Sequence, residues 1–205
     1  KTELPAYPSH DGLVCQGWNW TLAELKAESR KTNVGALYTT DDGTTRIYIH
    51  LQEGRTSPML GVCPNGTVVV DWGDGTATDT LTGTNATSVK WTPVHEYAEP
   101  GDYIIKLTHT GSIGFGGSST ANQYSYLLRA RSSTDVRNMF YLSCITKIEF
   151  GTCDNIHLQV RALMRCTGVK SIAVSNNVTI DGSVIFQDCK SLSFFTIPHD
   201  NNIIQ

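Results

Sequence analysis

At 205 residues the chain is long enough for one large or two small domains and for a buried core. Its 16 basic residues against 19 acidic ones leave a net charge of -3, which excludes the strongly basic footprint of a nucleic-acid or anionic-membrane binder. No window approaches a membrane span, and charged residues make up only 17% while Gly, Thr, Ser and Asn abound, the profile of a turn-rich β protein.

In chain order, Leu4-Pro5-Ala6-Tyr7-Pro8 reads as extended, since each proline biases its predecessor away from helix. Thr21 and Glu24 have the spacing of a capping box, which predicts a short helix running to about Arg30 and stopping before Thr32-Asn33. Trp18 and Trp20 flank its start. Two aromatics at alternate positions suit either a sugar-stacking platform, making them the ligand-binding candidates, or pins that hold the helix to the rest of the fold. Val34 to Tyr38, the turn Asp41-Asp42-Gly43, and Arg46 to Leu51 predict a β-hairpin. Its second strand alternates Ile47, Ile49 and Leu51 against Arg46, Tyr48 and His50, which places His50 on the wet face. Pro64-Asn65-Gly66 predicts the next turn, and residues 76–88 a loop or short edge strand.

Val68-Val69-Val70-Asp71-Trp72-Gly73-Asp74-Gly75 reads as a buried strand entering a tight turn. Gly73 and Gly75 supply positive φ, and the Asp74 carboxylate can fold back onto backbone N–H groups. His95, Tyr97, Gly101 and Tyr103 follow in a second turn and an alternating strand. The order Trp-Gly-Asp-Gly, His-x-Tyr, Pro-Gly-x-Tyr-x-x-x-Leu resembles the polycystic kidney disease (PKD) domain over roughly residues 42–110. That resemblance implies an immunoglobulin-like β-sandwich in which the matching histidine and tyrosine serve packing and turn-fixing. Asp71 and Asp74 as a calcium pair would need several more oxygens than this loop collects. His95 lacks a serine in a Gly-x-Ser-x-Gly elbow, so no catalytic residue, metal ligand or cofactor is assigned.

Residues 111–120 are rich in Gly and Ser and predict a connection. Tyr124, Tyr126 and Leu128 then alternate, and Arg129, Arg131 and Arg137 form a modest basic cluster that a solvated face explains. Beyond it, Ile148-Glu149-Phe150, Ile172-Ala173-Val174 and Phe195-Thr196-Ile197 recur at steps of 24 and 23 residues. Ile156, Ile180 and Ile203 repeat at the same steps. A unit this small cannot bury its own apolar face, so successive units must stack, with Cys166, Cys189, Leu192, Ile172 and Ile197 in the repeat core. The phrase Phe186, Cys189, Leu192, Ile197-Pro198 resembles the BspA-type leucine-rich repeat. None of the six cysteines has Cys-x-x-Cys spacing; the last four read as buried thiols, and whether Cys15 and Cys63 pair stays open.

These readings divide the chain into an N-terminal segment (1–41) packed on a PKD-like sandwich (42–115), a linker (116–135) and about three leucine-rich repeats (136–205), a mainly β fold. The resemblances imply a non-enzymatic bacterial surface protein that binds a host or bacterial protein or glycan, outside the cell, without nucleic acid or membrane insertion. The opening Gly12-Leu13-Val14-Cys15-Gln16-Gly17-Trp18-Asn19-Trp20, fused to these modules, is similar to proteins found in prophages of gut bacteria, which implies the alternative of a virion component used in host attachment. Oligomeric state is left open.

Overall fold

The computed structural model describes residues 4–18, 20–31, 33–40, 42–117, 127–131, 138–151, 155–174, 178–180 and 182–196. The chain is mainly β. Its elements are β1 (Leu13–Trp18), α1 (Leu22–Ala27), β2 (Ala36–Thr40), β3 (Thr45–Leu51), β4 (Met59–Asp71), β5 (Asp79–Thr84), β6 (Lys90–Trp91) and β7 (Gly101–Phe115). There follow β8 (Leu128–Arg129), α2 (Asn138–Cys144), β9 (Ile145–Glu149), β10 (Ile156–Leu158), β11 (Ser171–Ala173), β12 (Val178–Ile180) and β13 (Phe194–Thr196).

The capping box forms as its spacing requires: Glu24 N–H donates to Thr21 Oγ1 (3.1 Å), and Thr21 N–H donates to the Glu24 carboxylate (2.7 Å). The helix is shorter than expected, ending at Ala27 with Glu28 as its C-cap, and none of its residues is buried. Trp18 rests against Tyr7 at 5.6 Å between ring centroids, so this ring pairs with the extended N-terminal segment. The expected hairpin does not form. β2 pairs antiparallel with β1 instead, and Asp42 is spent locally, accepting from Thr44 N–H (3.0 Å) and gripping the Arg46 guanidinium.

β3 keeps the predicted alternation, with Ile47, Ile49 and Leu51 buried. It runs between β7 and β9, antiparallel to both. Pro64-Asn65-Gly66 is not a turn but lies inside the 13-residue β4. Gly66 is there for close approach: at φ +121 a Cβ would stand 2.3 Å from the Thr110 carbonyl oxygen on the neighbouring β7. Residues 111–115, expected as connection, continue β7, and the expected linker contributes β8, which pairs with β4.

In the C-terminal part, Lys147 faces Ser171 and Ser171 faces Phe194 in parallel ladders, reproducing the steps of 24 and 23 residues. The second ladder is shifted from expectation. Ile156 faces Val178, and Ile180 faces Leu158, two positions from the Ile156–Ile180 match. Both ladders grow out of the preceding strands: β9 adds to the free side of β3, and β10 pairs parallel with the end of β7, Ile113 facing Ile156. One sheet thus runs from β5 through β4, β7 and β3 into the parallel rungs. One apolar cluster follows it, from Val68, Trp72 and Ile105 to Phe150, Cys166 and Ile172. Phe115 at the end of β7 meets Phe150, just past β9, edge to face at 5.2 Å.

Candidate functional site

The corner after β4 is built from the inside out. β4 buries Val68 and Val70 and ends by placing Trp72 in the core, 1% exposed. The backbone then reverses on itself: Gly73 N–H donates to Asp71 Oδ1 (2.8 Å), an Asx turn that the aspartate's short acceptor makes possible. Gly73 has φ +79, and a Cβ there would lie 2.4 Å from the Ile104 carbonyl oxygen, so only glycine lets the corner touch β7.

The Asp74 carboxylate faces inward. Oδ1 accepts from Thr76 N–H (3.1 Å) and Thr76 Oγ1–H (2.7 Å), while Oδ2 accepts from His95 Nε2 at 2.8 Å. The two side chains are 11% and 10% exposed. Burial disfavours the charged carboxylate, but the hydrogen bonds from Thr76 and His95 outweigh it and hold Asp74 below the ordinary carboxylate range. The His95 ring lies flat on Trp72, centroids 4.4 Å apart and planes within 7°. Tyr97 stands edge-on to both rings and donates its hydroxyl to the Trp72 carbonyl (2.9 Å). Burial pushes the Tyr97 phenol well above its usual value. Tyr103 packs on Tyr97 at 4.2 Å and donates to the Glu99 carbonyl (2.8 Å), and Gly101, at φ +152, begins β7.

The corner therefore unites Trp72, Gly73, Asp74, His95, Tyr97 and Tyr103, while Gly75 turns the chain outward at φ +82 with open space around it. Sequence reasoning missed one member: Trp72 Nε1 donates to Asp79 Oδ2 (2.8 Å), a partner seven residues on with no local signature. Both Asp74 oxygens are engaged within the protein, so the arrangement is a brace, with no oxygen of it turned to a substrate. Among the described residues no group of three or more His, Cys, Asp or Glu could hold a metal ion. His50 lies on the wet face as expected, beside Asp102 at 2.8 Å.

In the repeat core Cys166 and Ile172 are fully buried, whereas Cys189 and Leu192 on the last described rung are partly covered. Cys189 Sγ–H donates to the Leu163 carbonyl (3.0 Å). Ile197, with Cys153, Arg137 and Ile203, lies outside the described residues. Cys15 and Cys63 are both free. Cys63 is buried, donates to the Gly116 carbonyl (3.0 Å), and burial lifts its thiol to about 12. Trp18, the last residue of β1, and Trp20, just before α1, are partly buried and lie outside the central core. No helix among the described residues is long and apolar enough to cross a membrane. No family model, curated protein or solved structure matches the chain.

Proposed function

We propose that the chain is a non-enzymatic recognition module of a bacterial cell surface, a PKD-like sandwich carrying BspA-type leucine-rich repeats that bind a protein or glycan partner. The observation that carries this reading is the internal satisfaction of the corner: its one buried acid–histidine pair is consumed by Thr76, Trp72 and Tyr97. A long sheet extended by parallel rungs offers a broad surface to a partner. The test is an array of glycans and host and bacterial surface proteins probed with the full chain. Saturable binding without turnover of any ligand supports the reading; hydrolysis or modification of an array member overturns it.

A second reading, a virion component used in host attachment, draws on the buried free thiols Cys63, Cys144 and Cys166, which suit assembly in a reducing compartment. A stable trimer in solution favours it over the first.

A further inference from the structure

A cleft of about 710 Å³ opens where the segment before β4, the segment after β6, the chain leaving β8 and α2 converge. Its volume falls in the range of roughly 300–1,000 Å³ typical of small-ligand sites. Ser57, Met59, Val94 and Glu96 line it from the sandwich side, and Arg131 and Tyr141 from the C-terminal part. The two sandwich segments are tied together: Tyr97 N–H donates to the Thr56 carbonyl and His95 N–H to the Pro58 carbonyl, both at 2.9 Å. Tyr141, 3% exposed, fixes the base, its hydroxyl accepting from Ser57 N–H at 3.1 Å.

Two opposite charges share this cleft without pairing to each other. One Glu96 oxygen accepts a short hydrogen bond from the Ser57 hydroxyl. Arg131 is exposed and forms no ion pair among the described residues. A carboxylate and a guanidinium on a cleft with aliphatic surface from Met59 and Val94 set up a field that orients a dipolar guest. A sugar would want an open aromatic face. Tyr141 is buried and the neighbouring Phe140 is capped by the Arg55 guanidinium at 3.4 Å, so the cleft offers none.

We propose that this cleft binds a small zwitterion of amino-acid to tripeptide size. Glu96, with Ser57 beside it, takes the ammonium end, Arg131 takes the carboxylate, and an aliphatic side chain lies against Met59 and Val94. The site stands whether or not the chain is a surface adhesin, since it rests on the cleft alone.

The test is calorimetric titration of the full chain with tri-leucine in four forms: free, N-acetylated, C-amidated and doubly blocked. Free tri-leucine binds. N-acetylation and Glu96→Gln each weaken binding about tenfold and together no more than either alone, and C-amidation and Arg131→Gln behave as a second such pair. Glutamine at position 96 keeps an acceptor for Ser57; should a variant fail to fold, the blocked peptides on the unaltered chain decide the matter. Absence of binding by the free peptide, equal binding of all four forms, or losses that multiply within a matched pair would overturn the assignment.

Discussion

At the scale of single residues, the corner separates two kinds of glycine. Gly75 has positive φ but empty space around it, so Gly75→Ala brings only the left-handed backbone penalty, about 1 kcal/mol. Gly73→Ala adds a collision with the Ile104 carbonyl, a further ~1–3 kcal/mol, and shifts the urea midpoint correspondingly further. Equal midpoints for the two variants would contradict the close approach of corner and β7. Acid sensitivity has its source in the same kind of detail. Arg46 beside Asp42 lowers that carboxyl to about 2, and Asp74 is also depressed. A depressed carboxylate contributes fully above its unfolded value, near ~4, and loses that contribution as pH falls through the folded value. Urea midpoints measured from pH 5 down to about 2 therefore decline, and the decline is shallower in Asp42→Asn and Asp74→Asn. A pH profile unchanged by both substitutions would show that neither pair operates.

At the scale of elements, the rungs differ in how well they are covered. Ile47, Ile148 and Ile172 occupy equivalent inward positions on successive strands and are buried, while Phe195, the next in line, is 36% exposed and leans on Phe186. Ile148→Ala and Ile172→Ala should each remove about 2–5 kcal/mol, and Phe195→Ala roughly half of a buried aromatic's 3–5 kcal/mol or less. A uniform loss at all three positions would mean that β13 is covered as fully as β9 and β11. The N-terminal elements present the opposite case. Among the described side chains, no hydrophobic one before Ile47 belongs to the buried core, and a two-stranded sheet is marginal by itself. A chain shortened to begin at residue 42 should thus melt within a few degrees of the full chain, and a large drop would reveal a supporting role for β1, α1 and β2.

Across the whole molecule, the parts readable from sequence were those whose cause is local. Strand β3 announced itself by a period of two and α1 by its cap, because in each the physical requirement falls on residues close together in the chain, while the first ladder of rungs showed through its even spacing. The Trp72, Asp74, His95 and Tyr97 corner was legible as a set of turn and packing residues, whereas Asp79 as the indole's partner was not. The failures share a non-local origin. Pro64-Asn65-Gly66 carries every mark of a turn, yet β7 along one side and the end of β5, opposite Asn65 and Gly66, hold it extended. Nothing near Ala36 reveals that β1, some twenty residues upstream, outcompetes β3 as its partner. Recurrent isoleucines suggested the second ladder's phase, but the pairing is set by where the intervening turns return the chain, and it falls two positions away. The cleft between Glu96 and Arg131 was invisible because its walls come from four separate stretches. Most consequentially, no local pattern shows that β9 and β10 start from the edges of β3 and β7.

That junction is the centre of the account, because it makes the antiparallel strands and the parallel rungs one continuous sheet over one apolar cluster. Native-state hydrogen exchange measures it directly, since amides that open in the same cooperative event share one opening free energy. The account predicts a common value for β3, β7, β9 and β11. Free exchange of β9 and β11 while β3 and β7 remain protected would contradict it.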